Sequence, residues 1–167
     1  VYASLDSGAI QTTMYPPGWL LAYLPAASGN SPTGVMVIGY ALAQAYSLVP
    51  LAILCFVVSK RKTFAWVGFA IMVYFILRSF PLEWACFLPH ADAPALGLSL
   101  LSVLALHVTW KSDEPLTTTG IILPALFACA AVAAKQTMLP ILPTILLWAF
   151  WNRGAKPAGR LALAMLI

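Results

Sequence analysis

The chain has 167 residues, of which 62% are hydrophobic and 8% are charged, with a formal net charge of +4. Its mean hydropathy of +0.90 excludes an ordinary soluble or disordered domain. The few charged residues lie almost entirely between long apolar stretches, so we interpret the positive charge as loop charge that sets membrane topology rather than as a nucleic-acid surface. This pattern predicts an all-α fold, a polytopic bundle of transmembrane helices, because lipid offers no water to unpaired backbone groups.

Residues 1–33 are predicted to form an outer loop that carries an interfacial helix. The segment 15–25 is aromatic and apolar, is broken by prolines, and is too short to span a membrane. Trp19 and Tyr23 stand four residues apart, which suits two rings at the level of the lipid headgroups. A simple aromatic belt would explain the same residues, and that alternative stays open.

Residues 34–167 are predicted to form the membrane bundle. Uncharged stretches follow one another, most of them near the roughly 20 residues that cross a hydrocarbon core. The five predicted spans, A to E, are Gly34–Val58, Thr63–Leu77, Ala93–Trp110, Thr118–Ala134 and Thr137–Trp151, and Leu161–Ile167 is expected to open a sixth. Spans B and E are short for full spans, so we expect them to borrow flanking residues or to be partly shielded by neighbouring helices. Because the chain begins with Val and stops inside an apolar run, we expect it to be an internal piece of a longer protein.

Basic residues in the short linkers orient these spans, because Lys and Arg stay on the cytoplasmic side. Lys60, Arg61 and Lys62 follow span A, which is therefore expected to run from outside to inside. If the spans alternate, Arg78 and Lys135 are the basic residues left outside. We expect a multi-pass protein of a bacterial inner membrane.

The predicted outer side carries most of the side chains that can do acid, base or phosphate chemistry, which favours a working face outside the cytoplasm. These residues are Asp6, Arg78, Glu83, His90, Asp92, Lys135 and Gln136. A location near the interface would explain each of them singly. No metal site is predicted, because His90 and His107 are separated by most of span C. Cys55 and Cys129 fall within spans A and D and Cys86 is expected near the outer interface, so the three cysteines do not form a disulfide framework.

Three further residue patterns carry structural as well as functional interpretations. Asp92 is predicted to be the N-cap of the helix that begins near Ala93, and with His90 to face an outer cavity that takes a polar or phosphorylated ligand. Lys135 is either a snorkelling lysine or the partner of a phosphate on a lipid-linked substrate. Small residues at four-residue spacing in span D, from Ala125 to Ala133, predict close packing against a neighbouring helix.

Three segments, in order, resemble the glycosyltransferase C superfamily of integral-membrane sugar transferases. They are Tyr15-Pro16-Pro17 followed by an apolar stretch and a long span, the run from His90 to Leu96, and Ala133-Ala134-Lys135-Gln136-Thr137-Met138-Leu139-Pro140. The second is similar to the family's basic-x-Asp-x-Leu-Ala segment, and the third to its Thr-Lys-Gln-Thr segment. Together they cover most of the chain, but each is short. The sequence departs from the family in having His at position 90 and Ala at position 134, and in showing no acidic pair after a first span.

The resemblance implies transfer of a sugar from a polyprenyl phosphate to an acceptor hydroxyl, with no nucleotide or redox cofactor. It makes Asp6 the candidate catalytic base, with Lys135, His90 and more weakly Arg78 toward the phosphate, beside Gln136. Asp92 would orient these neighbours. A divalent metal is compatible with such chemistry, but no residue pattern here supports one. Alternatively, the catalytic acid lies upstream of the first residue, or the chain is an inactive relative.

Two other classes of protein fit the same sequence. A transporter would have ionisable residues or broken helices near the membrane centre. Prolines that could break helices are Pro50 in span A, Pro124 in span D, and Pro140 and Pro143 in span E, but the span centres have no ionisable residue. A non-catalytic subunit would only pack against a larger membrane assembly, and the missing acidic pair favours it. The expected partners are membrane lipid, a polyprenyl-phosphate sugar and further membrane proteins, and no nucleic acid.

Overall fold

In the computed structural model the described residues are 18–59, 62–79, 86, 89–110 and 116–166. Every regular element among them is helical, which confirms the predicted all-α class. The α-helices are α1 Gly18–Tyr23, α2 Pro32–Val58, α3 Lys62–Arg78, α4 Asp92–Thr109, α5 Thr118–Ala134, α6 Ile141–Arg153 and α7 Ala155–Ala164. Short 3-10 turns lie at Leu24–Ser28 and Gln136–Met138.

Helices α2 and α4 are long and apolar enough to cross a membrane, with 27 and 18 residues. Within the most apolar 18-residue segment of each helix, only 22% of the residues of α2 and 33% of those of α4 are buried inside the fold. The core helix of a soluble protein of the same composition would be mostly buried. The described part of the chain therefore supports membrane association through these two helices, and α5 is a shorter apolar helix of 17 residues.

Hydroxyl caps explain where two of the apolar helices begin. The side chain of Ser31 accepts a hydrogen bond of 3.1 Å from the Gly34 amide at the start of α2. Thr117 does the same for the Gly120 amide at the start of α5, also at 3.1 Å. Both caps satisfy an amide that has no partner within the first helical turn. Helices α2 and α5 therefore begin within two residues of the starts of predicted spans A and D.

A few close contacts show which of the packed helices are parallel and which are antiparallel. Helices α2 and α4 run parallel, because Gly39 lies against Pro89 and Gly97 lies against Tyr46. Helices α4 and α5 run antiparallel, since α4 begins beside Lys135, the residue that follows α5. We call the end where α2 and α4 begin and α5 ends the Lys135 end. The opposite end, where α2, α4 and α6 end, is the Arg153 end.

The two helix-interior prolines do not break α2 or α5. Pro124 has no amide N–H, so the Gly120 carbonyl four residues earlier loses its helical partner. The buried indole of Trp110 donates to that carbonyl at 2.6 Å. Pro50 likewise frees the carbonyl of Tyr46, against which Gly97 of α4 packs closely. Both freed carbonyls are thus covered, one by Gly97 of α4 and the other by Trp110, the residue that follows α4.

Helix α5 packs closely against α4 through small residues, as span D predicts, but the buried face is displaced. Ala125, Ala128 and Ala131 are 1%, 0% and 0% exposed. Cys129 is half-buried, with its Sγ 3.6 Å from the Met165 carbonyl, and Ala133 is exposed. The 3.6-residue helical period moves the contact face away from a strict four-residue spacing.

The last two helices differ from the predicted spans. Helix α6 begins at Ile141 rather than at Thr137, because Thr137 belongs to a 3-10 turn. The segment Leu161–Ile167, which is expected to open a sixth span, begins within the short helix α7, and that helix starts earlier, at Ala155. Leu161 is fully buried within it, whereas Lys156 is exposed. Helix α7 is therefore amphipathic rather than uniformly apolar.

Cys86 lies deeper than the sequence predicts. It was expected near the outer interface, but it is fully buried and its carbonyl accepts a 3.0 Å hydrogen bond from Ser47, in the middle of α2. Pro89 lies against Gly39, about 12 Å nearer the Lys135 end of that helix. Cys86 therefore packs well inside the helices rather than at their rim.

Candidate functional site

Helix α1 lies at the Lys135 end, held by three contacts to separate parts of the chain. A Cβ at Gly18 would come within 2.5 Å of the Ala133 carbonyl oxygen, so only glycine allows this approach to α5. The Tyr46 hydroxyl of α2 donates to the Ala22 carbonyl at 2.5 Å. The Tyr23 hydroxyl donates to the His90 carbonyl at 3.1 Å. Helix α1 thus covers the start of α4.

Three ionisable side chains meet beneath this helix, and we call them the His90–Asp92–Lys135 cluster. Nδ1 of His90 lies 2.6 Å from Oδ2 of Asp92. The ammonium of Lys135 forms an ion pair with Oδ1 of the same carboxylate. The Asp92 and Lys135 side chains are only 17% and 16% exposed. A carboxylate shared between an ammonium and an imidazole in such partial burial forms charge-assisted hydrogen bonds, the stronger class of these bonds.

The prediction that Asp92 is the N-cap of α4 is wrong. Ala91 occupies the N-cap position, Asp92 is the first helical residue, and no side chain caps the first turn. The physical reason lies in the partners of the carboxylate. Oδ2 of Asp92 contacts His90 and Oδ1 contacts Lys135, and these contacts replace a bond to a neutral backbone amide. The predicted role of Asp92 in orienting its neighbours agrees with these contacts.

Lys135 does not behave as a snorkelling lysine. Its amide donates to the Ala131 carbonyl at 2.9 Å, and its extended backbone ends α5. From that position the side chain reaches the start of α4 and pairs with Asp92 rather than extending into water. The ammonium is therefore held at a defined place in the site.

The other predicted site residues lie apart from this cluster or outside the described residues. Gln136 is exposed in the turn after α5, and its carbonyl accepts from the Leu139 amide at 3.0 Å. Arg78 is exposed at the end of α3, with its guanidinium 5.8 Å from the centre of the Tyr74 ring. Asp6, Glu83, the topology-setting residues Lys60 and Arg61, and the Tyr15-Pro16-Pro17 segment lie outside the described residues.

An apolar groove of about 400 Å³ runs between α1, the following 3-10 turn and the start of α2. Its lining includes Trp19, Tyr23, Val35, Met36 and Pro89. Tyr23 binds the His90 carbonyl and Pro89 precedes His90 in the chain, so one side of the groove adjoins the cluster. We call it the α1 groove.

Two polar groups of the aromatic side chains are relevant to this groove. Burial raises the pKa of the Tyr23 phenol, so the hydroxyl stays protonated and remains a donor at physiological pH. The indole N–H of Trp19 is buried and, among the described residues, has no hydrogen-bond partner. A buried donor without an acceptor costs about 1–3 kcal/mol, so a ligand oxygen that reached it would be stabilised.

Sequence reasoning missed Tyr46 and the α1 groove. The ring of Tyr46 lies 6.0 Å from that of Tyr23, which in turn lies 6.4 Å from Trp19. The available signal was Tyr46 inside the uncharged span A, since a buried tyrosine hydroxyl needs a partner. That its partner is a carbonyl in α1 could not be known without the fold.

Metal ligands do not gather within the described residues, where no group of three His, Cys, Asp or Glu side chains lies together. His107 is in the last turn of α4, at the Arg153 end, far from His90. The three cysteines are free thiols on different elements.

No protein-family model matches the chain, and neither a curated protein nor a solved structure matches it. The residues of the Lys135 end are therefore what bears on function.

Proposed function

We propose that this chain is part of an integral-membrane glycosyltransferase that moves a sugar from a polyprenyl-phosphate carrier to an acceptor. The observation that carries the proposal is the position of the His90–Asp92–Lys135 cluster beside the apolar α1 groove. The substrate class has the same two parts, an anionic phosphate and a hydrocarbon chain.

A multi-pass membrane position is supported by apolar side chains that the fold leaves uncovered. Phe64, Trp66 and Phe75 of α3 are 62%, 60% and 59% exposed. Clusters of exposed large apolar side chains indicate a lipid or protein contact rather than a water-facing surface. With the basic residues of the linkers facing the cytoplasm, the Lys135 end lies on the extracytoplasmic side.

In the proposed complex the first isoprene units occupy the α1 groove and the phosphate lies beside the cluster. Lys135 supplies a positive charge there, and His90 supplies an imidazole that can donate to a phosphate oxygen. Asp92 is a positioning residue, since it holds both of these groups and does not itself contact an anion. Trp19 offers a buried N–H to an oxygen at the same boundary.

The proposed reaction is a displacement at the anomeric carbon. The acceptor hydroxyl oxygen forms a bond to that carbon, the bond to the phosphate oxygen breaks with its electron pair, and the lipid phosphate leaves. The proton of the hydroxyl passes to a carboxylate. Asp6 is the proposed base, and the cations near the phosphate stabilise the charge that develops on the leaving group.

The test is sugar transfer by the full-length protein in nanodiscs with a panel of polyprenyl-phosphate sugars. Lys135→Met and Asp6→Asn are each expected to lower kcat/KM by at least about 100-fold. Lys156→Met removes the same charge from an exposed site at the opposite end and should leave transfer unchanged. Well-folded wild-type protein that transfers no sugar from any donor would refute the proposal.

A second candidate is a non-catalytic subunit of a membrane assembly. Asp92 is the sole carboxylate in the described residues, and it is engaged by His90 and Lys135 rather than placed to accept a substrate proton. This candidate predicts that Lys135→Met weakens co-purification with a membrane partner. It also predicts that Asp6→Asn leaves that association intact.

A further inference from the structure

The phenol ring of Tyr23 lies between the α1 groove and the His90–Asp92–Lys135 cluster. Tyr23 lines the groove, and its hydroxyl donates to the His90 carbonyl at 3.1 Å. Its ring lies edge-on to those of Tyr46 and Trp19, with centres 6.0 Å and 6.4 Å away. One half-buried side chain therefore contacts both the space assigned to the hydrocarbon chain and the backbone of a cluster residue.

The backbone that carries His90 borders the same groove. Pro89, the preceding residue, lines the groove, and because the proline ring is fused to its own backbone nitrogen, a displacement of that ring moves the backbone beside His90. The His90 side chain continues this path, since its Nδ1 contacts the Asp92 carboxylate that also holds Lys135. A molecule in the groove thus contacts two groups, Tyr23 and Pro89, that are joined directly to His90.

We propose that Tyr23 is a positioning residue that couples hydrocarbon in the α1 groove to the orientation of His90. An isoprenoid chain in the groove packs against the Tyr23 ring, the hydroxyl moves with that ring, and the His90 carbonyl follows through the hydrogen bond. Such coupling needs a continuous path of packed groups and hydrogen bonds, which the contacts of Tyr23 provide. The inference rests on the proposed function, which places the isoprenoid chain of the donor in this groove. It makes the hydrocarbon contribute to turnover as well as to binding.

The coupling is tested by nuclear magnetic resonance of the full-length protein in nanodiscs with farnesol, an isoprenoid alcohol that has no phosphate. The methyl signal of Met36, which lines the groove, reports occupancy, and the ring nitrogen signals of His90 report the response. Met36→Leu and His90→Gln assign these signals. Farnesol is expected to shift both over the same concentration range in the wild type. The ring signals of His107, at the Arg153 end, are the internal control and should not shift.

Tyr23→Phe removes the hydroxyl and keeps the ring. The Met36 shift should remain, with an apparent affinity within about twofold, whereas the His90 shift should fall at least about twofold. Tyr46→Phe removes the other hydroxyl that holds α1, and it should keep the His90 shift because Tyr46 donates to Ala22 rather than to His90. An unchanged His90 shift in Tyr23→Phe would overturn the proposal. An equal loss in Tyr46→Phe would assign the effect to the anchoring of α1 and would also overturn it.

Sugar transfer separates a failure of this inference from a failure of the proposed function. Tyr23→Phe is expected to lower kcat about tenfold and to change KM less than about twofold, since the ring still packs in the groove while His90 is misplaced. Wild-type protein that transfers no sugar but shows the coupled shifts would refute the proposed function and support the coupling. Transfer by a wild type whose His90 signals do not respond to farnesol would overturn the coupling alone.

Discussion

The hydrogen bond from Trp110 to the carbonyl freed by Pro124 makes a quantitative prediction. Trp110 is 5% exposed, and its indole N–H lies 2.6 Å from the Gly120 oxygen. Trp110→Phe keeps an aromatic ring but leaves that carbonyl with neither a helical nor a side-chain donor. An unsatisfied buried acceptor costs about 1–3 kcal/mol. The smaller ring adds about 1 kcal/mol of lost packing, giving roughly 2–4 kcal/mol in total.

A double-mutant cycle separates the two contributions. Pro124→Ala restores an amide at position 124 that can donate to Gly120 within the helix, so in that background Trp110→Phe should cost only its packing share. The expected coupling free energy is about 1–3 kcal/mol, measured by reversible unfolding of the purified protein in mixed micelles. Trp151→Phe, at a side chain 88% exposed, is the control and should change stability by less than about 0.5 kcal/mol. A coupling energy below about 0.5 kcal/mol would refute this account of how α5 tolerates its proline.

The remaining predictions concern the helix contacts and the ionisable cluster. Gly97→Ala should destabilise the fold by about 3 kcal/mol, because the added Cβ would collide with the backbone of α2. Gly68→Ala, where the Cβ meets no atom, should be neutral or stabilising by up to about 1 kcal/mol. Thermal unfolding in detergent compares the stabilities of the two variants. Gly18→Ala should release α1 from α5, which limited proteolysis after α1 detects as cleavage at least about tenfold faster, and an unchanged cleavage rate would contradict the contact. Asp92→Asn should cost about 1–3 kcal/mol because it removes the ion pair between a partly buried carboxylate and Lys135. Asp92→Asn with Lys135→Met should recover part of that loss in the same unfolding assay. A double variant no more stable than Asp92→Asn alone would count against the ion pair.

The sequence predicted the helices better than it predicted their partners. Apolar stretches and hydroxyl caps specify α2 and α5 locally, so those boundaries are right within two residues. The N-cap interpretation of Asp92 failed because the competing partner, Lys135, lies 43 positions away in the sequence. Helix and cap propensities depend on neighbouring residues and carry no information about a partner that is distant in the sequence.

The candidate site residues divide in the same way, between what the local sequence specifies and what depends on the fold. The sequence places His90, Asp92 and Lys135 on the same expected side of the membrane. Their contacts, however, depend on α4 and α5 being antiparallel neighbours. The α1 groove could not be predicted, since it exists only when a tyrosine of α2 holds α1 in place. The role of Asp6 stays a prediction.

The three contacts that hold α1 also set a sequence of events during synthesis. Tyr46 and the His90 carbonyl leave the ribosome before Ala133, against which Gly18 finally packs. Contacts of such long range form only after the intervening chain has been made and placed. Helix α1, made early, therefore lacks its contact with α5 until α5 has been made, and Lys135 is the last residue of the cluster to be made. Until then, Asp92 has its histidine neighbour but not its lysine, so a nascent chain halted before α5 would lack this site although most of its residues were present.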